Sequence, residues 1–326
     1  MGYCLEERMM NFDYAELTKS IGKDKLSFQY LEEVGTYPNG WKSYIIKGVE
    51  KMKVRVHQEA ELIELKANLA YYWQGHNFTF SKATMIEALQ HTSDMLNINL
   101  FQAELRCFEF GCIVEVDQKP DDFLNNHLSF KGKPFQIWQN KSYSAITGKE
   151  FKNDVFKIKL YDAGQNLKHK TTLSIRQQLE KTSGYDAKKN YIKFENYYKK
   201  PDIHFKNRSL FVNEVLQEDF MQLCKKDLIE TYKSIMKTGL IKIPTNKKDL
   251  NVGTLPLIVL KEVGLIYGFN PEELIKQRVK AISEDILNTY DKKARQEQIK
   301  QNWKKIASEE KSQYDITNQL ELKEIL

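Results

Sequence analysis

Residues 156–165 read Phe-Lys-Ile-Lys-Leu-Tyr-Asp-Ala-Gly-Gln, an alternation that sets one phenol among lysines. As a strand with period two, it puts Phe156, Ile158 and Leu160 on one face and Lys157, Lys159 and Tyr161 on the other. A tyrosine beside two ammoniums is poorly placed for a core and well placed to meet a phosphate. The chemistry open to such a phenol is nucleophilic. Tyrosine forms covalent intermediates, provided that its pKa of about 10 is offset by neighbouring positive charge. An edge strand whose tyrosine and lysines simply reach out to water has the same pattern, so the neighbours must decide.

Two other segments share this layout. In residues 105–116, Phe108, Phe110, Cys112, Val114 and Val116 alternate with Cys107, Glu109, Gly111, Ile113 and Glu115. In residues 191–198, Ile192 and Phe194 point one way and Lys193, Glu195 and Tyr197 the other. Laid side by side, three such strands bring two carboxylates near the phenol. Carboxylates in proximity repel, so a positive charge must sit between them. A divalent cation with oxygen ligands is the natural occupant, and it would polarise a phosphate for attack. Glu115 lies on the same face as Glu109 but about 20 Å further along a flat strand. The expected pair is therefore Glu109 with Glu195, and Glu115 is expected to be solvated.

Composition narrows the class. The 326 residues carry a formal net charge of +6, with 41% hydrophobic and 12% aromatic residues. That is enough apolar material for a core, rules out a disordered chain, and favours acidic partners such as nucleic acid. The length suggests a main domain and a smaller second one. Met1-Gly2-Tyr3-Cys4 leads into Glu6 and Glu7 without an apolar stretch, and no run is long enough for a bilayer, so a cytoplasmic protein without membrane contact is expected. Cys4, Cys107, Cys112 and Cys224 form no C-x-x-C pair and read as free thiols. The six histidines are scattered and give no metal motif.

The elements that would position this chemistry are legible in outline. Tyr37-Pro38-Asn39-Gly40-Trp41 carries an Asn-Gly turn signal between extended segments. Ser81 is suited to cap a helix with Met85, Ile86, Leu89 and Leu96 on one face. Lys131-Gly132-Lys133-Pro134 is a turn. After Pro201 the pattern turns helical. Residues 213–238 form a helix with Phe220, Leu223, Leu228, Tyr232 and Ile235 as its stripe, stopped by Gly239. Residues 257–267 make a short helix, and a long one runs from Pro271 towards Ile306. The polar end, 309–326, is expected to fray. The expected architecture is α+β: an antiparallel sheet with helices on one face over 1–205, then a helical region over 206–326.

The ordered set of motifs resembles the rolling-circle replication initiators of small plasmids and phages, the replication initiation factor group allied to filamentous-phage replication endonucleases. The likeness covers about residues 100–240. Its parts are Arg106-Cys107-Phe108-Glu109-Phe110-Gly111, Leu160-Tyr161-Asp162, Tyr191-Ile192-Lys193-Phe194-Glu195 with Lys199-Lys200-Pro201, and a helical segment from Ser209. The chain departs from the family twice. Ala163 stands where a lysine usually follows the tyrosine, a role open to Lys168 or Lys170, and Lys193 stands where an arginine usually precedes the last acid.

The resemblance implies a nicking and joining enzyme. Tyr161 would attack a phosphodiester in single-stranded or hairpin origin DNA, forming a covalent phosphotyrosine and leaving a 3′-hydroxyl primer. Glu109 and Glu195 would hold Mg²⁺ or Mn²⁺. Lys157, Lys159, Lys168 and Lys193 would contact DNA. No G-x-x-x-x-G-K-[ST] motif is present, consistent with transesterification that needs no ATP. The helices around residues 257–267 and 271 onward look like a helix-turn-helix, with Lys276, Arg278 and Lys280 towards DNA; an ordinary bundle with solvated charges fits them as well. A host helicase and a homodimer are further implied partners. A DNA-binding protein without nuclease activity and a non-enzymatic scaffold are the competing readings. Tyr143, Tyr191, Tyr197 and Tyr198 are alternatives to Tyr161.

Overall fold

The computed structural model describes residues 11–22, 24–47, 49–139, 145–206, 209–237, 255–267, 271–281, 288–306 and 315–325. The strands are β1 (Asn11–Ser20), β2 (Leu31–Thr36), β3 (Trp41–Ile46), β4 (Val49–His57), β5 (Leu62–Asn68), β6 (Glu104–Val116), β7 (His127–Phe130), β8 (Lys133–Pro134), β9 (Gln136–Gln139), β10 (Ile146–Lys152), β11 (Phe156–Asp162), β12 (Asn190–Tyr198) and β13 (Ile235–Lys237). The helices are α1 (Leu69–Gln74), α2 (Lys82–Leu96), α3 (Pro120–Asn125), α4 (Ala163–Lys170), α5 (Leu173–Ser183), α6 (Pro201–His204), α7 (Val212–Val215), α8 (Glu218–Lys233), α9 (Leu255–Tyr267), α10 (Pro271–Lys280), α11 (Thr289–Ile306) and α12 (Thr317–Ile325). The architecture is α+β, as the alternation implies.

Among the described residues, ten strands form one sheet in the order β2-β3-β4-β5-β1-β6-β12-β11-β10-β9, and β13-β7-β8 form a second. The chain divides into two compact units. One is Met1–Asp121, Ile137–Glu230 and Asn318–Leu326; the other is Asp122–Gln136 and Thr231–Thr317. The division expected at residue 205 thus falls inside the first unit. Sheet and helices interleave along the chain, so a change of local texture does not mark the boundary.

One face of the large sheet is the core. Phe12, Phe108, Phe110, Phe194 and Tyr198 are fully buried there. Phe108 lies 5.0 Å from Phe12 and 4.7 Å from Tyr198, and Phe205 and Phe220 close the cluster 5.1 Å apart. Each such ring removed from water contributes roughly 1.5–3 kcal/mol. The helices do not all lie on that face. Ala163 and Leu167 of α4 and Leu179 of α5 cluster with Ile113 and Tyr191, which share the polar parity of Glu109 and Glu195. Helices α4 and α5 therefore cover one end of the opposite face and turn it into a walled site.

Several local expectations hold and several are corrected. Ser81 caps α2 with a reciprocal bond to Thr84, and Met85, Leu89 and Leu96 are buried. Ile86 is exposed, because it lies off the buried stripe. Residues 213–238 are not one helix. The chain passes through α7 and α8 and then extends, with Ile235 paired to Phe130 in β13. Leu223 is exposed on α8. The helix expected from Pro271 to Ile306 is two, α10 and α11, the second opened by Asn288, whose side chain accepts from Asp291 N at 2.9 Å. The end is not frayed throughout: α12 buries Leu320. Cys107, Cys112 and Cys224 are buried and in no disulfide among the described residues, while Cys4 and Gly239 lie outside them.

At Gly111, β6 admits β12 closely. A Cβ there would sit 2.4 Å from the Phe194 carbonyl oxygen and 2.5 Å from Glu195 Cβ. The contact involves backbone, so no side-chain rotation relieves it. Gly111→Ala is expected to lower the unfolding free energy by about 1–3 kcal/mol, read as a shifted urea midpoint. A midpoint equal to the parent's would contradict this close approach.

Candidate active site

Three adjacent strands carry the site. On β11 and β12, Tyr161 faces Lys193, Lys159 faces Glu195, and Lys157 faces Tyr197. On β12 and β6, Glu195 faces Gly111 and Tyr197 faces Glu109. Glu109 is thus diagonal to Glu195, and the long Lys159 side chain spans both. Its Nζ donates to Glu109 Oε1 and to Glu195 Oε1, the latter at 2.8 Å. Glu195 Oε2 meets Lys193 Nζ at 2.7 Å, and Tyr161 Oη donates to the same oxygen at 3.4 Å. The expected juxtaposition of one phenol with two acids is present, and the positive charge between the acids is the ammonium of Lys159.

A third carboxylate completes the cluster. Asp13 Oδ2 accepts from Lys193 Nζ, and from Asn77 Nδ2 at 3.1 Å. Its position follows from a register irregularity. Phe12 pairs with Phe110 and Ala15 with Phe108, so β1 spends three steps where β6 spends two. The extra residue of this bulge lets two consecutive residues, Asp13 and Tyr14, leave the core-facing sequence. A strict period of two would not place both in the site, and Asp13 is a site residue that sequence reasoning did not name.

The charges act on one another strongly. Burial, reinforced by Glu195, pushes Glu109 up to about 7 against the pull of Lys159. Burial also pushes Glu195 upward, but Lys159 and Lys193 outweigh it and hold Glu195 at about 2. Burial would lower Lys159, yet Glu195 and Glu109 together hold it above the ordinary lysine value. Tyr161 is pushed well above the usual phenol range by burial and then by the two glutamates. The resting site therefore contains an ionised Glu195, a charged Lys159, a Glu109 poised near neutrality and a protonated Tyr161.

The cluster forms one side of a cavity of about 540 Å³, whose other walls include Tyr71, Trp138 and α4. Helix α4 begins at once after β11, with Asp162 as its cap accepting from Gln165 N at 2.8 Å. It presents Gln165, Asn166, His169 and Lys170 to the cavity, a helical i, i+1, i+4, i+5 face. Lys168 lies off that face and is exposed, so Lys170 is the lysine of this helix that lines the site. Trp138 rests 6.0 Å from Tyr161 because residue 148 is glycine; a Cβ there would sit 2.4 Å from Trp138 Cε3 and 2.9 Å from Tyr161 Cβ. The Tyr71 hydroxyl is buried and has no hydrogen-bond partner among the described residues. Nothing in the alternation marks Tyr71, Trp138 or Asn77 for the site, since each reaches it through tertiary packing.

The remaining candidates separate clearly. Tyr191 is buried beside Phe78 and Tyr185, and Tyr198 is buried on the core face, where it donates to Asp227 Oδ2 at 2.6 Å. Tyr197 shares the polar face but meets Cys107 Sγ at 3.1 Å, with Lys157 and Lys159 about its ring. Tyr143 lies outside the described residues. Lys157 is half-buried, 3.8 Å from Glu150. Lys193 is buried between Asp13 and Glu195, so its role is internal. Glu115 pairs with Lys189 at 2.8 Å. On α10, Lys276 pairs with Glu272 at 2.6 Å, while Arg278 and Lys280 are exposed. Lys276 and Lys280 share a helical face that Arg278 does not. The turn expected between α9 and α10 lies outside the described residues.

As a metal site the donor set is right in kind. Glu109, Glu195 and Asp13 offer hard carboxylate oxygens of the sort Mg²⁺ and Mn²⁺ take. Among the described residues no three His, Cys, Asp or Glu side chains are gathered as a metal-holding group, and Lys159 occupies the gap between the glutamates. Among the described residues no helix is long and apolar enough to cross a membrane. A scan against protein-family models and a search of curated proteins gave no match to the chain.

The cluster separates an internal lysine from a surface one. Lys193→Met leaves Asp13 and Glu195 short of a buried counter-charge and is expected to cost about 3–5 kcal/mol of stability. Lys168→Met is expected to change it by less than about 0.5 kcal/mol. Chemical denaturation of both variants checks this, and equal effects would contradict the assignment of Lys193 to the interior.

Proposed function

We propose that this protein nicks and rejoins DNA through a covalent phosphotyrosine on Tyr161, and so initiates rolling-circle replication at an origin presented as single strand or hairpin. The observation that carries the reading is the Tyr161 hydroxyl 3.4 Å from Glu195, a carboxylate that shares Lys159 with Glu109 inside a walled polar cavity. The resemblance over residues 100–240 supplies the substrate class. A strand-separating helicase is the partner such a reaction calls for.

The chemistry follows from the charges. The Tyr161 oxygen attacks phosphorus while the bond from phosphorus to the 3′ oxygen breaks. The phenolic proton passes to Glu195, the carboxylate in contact with it. The departing 3′ oxygen takes up a proton from water and becomes the primer hydroxyl. Because the phenolate is strongly disfavoured at rest, proton loss and attack must proceed together. Lys170, His169, Gln165 and Asn166 of α4 line the space where phosphate oxygens would lie. Mg²⁺ or Mn²⁺ held by Glu109 and Glu195, with Asp13 beside them, would supply Lewis-acid polarisation of the phosphate. Joining is the reverse transfer, so no nucleotide triphosphate is consumed.

One observation favours a second reading, a DNA-binding protein that does not cut: both Glu195 oxygens already rest on ammoniums. One assay separates the two. The protein is incubated with Mn²⁺ and single-stranded oligonucleotides tiling the replicon's origin, then resolved on denaturing gels. The nicking reading predicts a protein–DNA adduct that chelation prevents, that Tyr161→Phe abolishes, and that maps to the peptide bearing Tyr161. Retarded DNA in native gels with no adduct would support the non-cutting reading.

A further inference from the structure

We infer that Lys159 is a tethered counter-ion that a divalent cation must displace, so that loading the carboxylates and freeing the Lys159 ammonium into the cavity are a single event. The inference rests on the proposed function for the identity of the ion, and deepens it by naming what controls entry. Lys159 Nζ donates to one oxygen of each glutamate, Glu109 Oε1 and Glu195 Oε1. The Glu195 side chain is 2% exposed and those of Glu109 and Lys159 are 16% and 14%, so water cannot replace the ammonium without loss.

Mutual exclusion follows from size and charge. An ion bound to both glutamates would stand about 2.0–2.6 Å from an oxygen of each. Those oxygens already converge on Nζ, which meets Glu195 Oε1 at 2.8 Å. An ion and an ammonium cannot share that gap, since two cations would then touch in a low-dielectric pocket. The wider balance agrees. The cluster holds the carboxylates Asp13, Glu109 and Glu195 against the ammoniums Lys159 and Lys193. With all three carboxylates ionised, as metal binding requires, exchanging Lys159 for one divalent ion leaves this set neutral, whereas adding the ion without the exchange leaves a net positive charge. Each ammonium is held by two carboxylates, but Lys193 lies deeper, its side chain 4% exposed against 14% for Lys159, so Lys159 is the one able to leave. Lys159 lines the cavity, and its released ammonium enters the space where the substrate phosphate would lie.

The test uses full-length protein without DNA, so it is read independently of any nicking. Free Mn²⁺ is titrated by electron paramagnetic resonance against the parent chain and Lys159→Met, Lys159→Arg and Glu109→Gln variants. Removing the competitor is expected to tighten Mn²⁺ binding at least tenfold in Lys159→Met. The guanidinium of Lys159→Arg, able to bridge two carboxylates with a planar fork, is expected to weaken it relative to the parent, and Glu109→Gln is expected to abolish it. Lys159→Met leaves two buried carboxylates facing each other. If that variant proves unfolded alone, Mn²⁺ is expected to restore its folding, read by circular dichroism, and failure to do so overturns the inference. Equal or weaker Mn²⁺ binding by a folded Lys159→Met also overturns it. A tenfold gain in Mn²⁺ affinity alongside a failed adduct assay would uphold this inference and sink the nicking one.

Discussion

Two ionised glutamates cannot be held together inside a protein without a cation between them, and here that cation is Lys159. The constraint organises the site. Lys159 bridges Glu109 on β6 and Glu195 on β12 from its own place on β11, so three strands are tied by one ammonium. The same charge sets the proton affinities of its partners. Glu195, shared by two ammoniums, is a firm anion, whereas Glu109, with less compensation, titrates near neutrality. Two neighbouring carboxyls are driven apart in this way, one held ionised and the other raised towards neutral pH.

The scaffold serves that arrangement through departures from regularity. A bulge in β1 delivers Asp13 to Lys193. Gly111 lets β12 approach β6, and Gly148 lets Trp138 lie against Tyr161. The cap, Asp162, directly follows the tyrosine and α4 starts two residues after it, so the strand that carries the phenol and the helix that walls the cavity are fixed by one short segment. The aromatic packing on the reverse face supplies the stability against which such features are maintained.

The polar face was legible where the alternation was strict. Period two in β6, β11 and β12 separated Glu109, Tyr161 and Glu195 from the core residues, and the demand for a positive charge between the acids followed from electrostatics alone. The identity of that charge did not. A lysine two residues from the tyrosine reads as a phosphate contact until the cross-strand register sets it opposite Glu195. Asp13 was hidden by the bulge, and Tyr71 and Trp138 by tertiary packing. Lys168 and Lys170 could be told apart only once the orientation of α4 was known. The compact units were illegible for a different reason: a helical texture after Pro201 coincides with no change of unit until residue 231.

The claim that Lys159 and the buried glutamates act as one electrostatic unit is tested most directly by a double-mutant cycle on unfolding free energy, with Lys159→Met, Glu195→Gln and the double variant. The account predicts that each single change destabilises the protein and that the double variant loses less than their sum by more than about 1.5 kcal/mol, as expected for a coupled buried pair. Additive losses within about 0.5 kcal/mol would show that the ammonium and the carboxylate do not depend on each other, and the site described would then lack its central interaction.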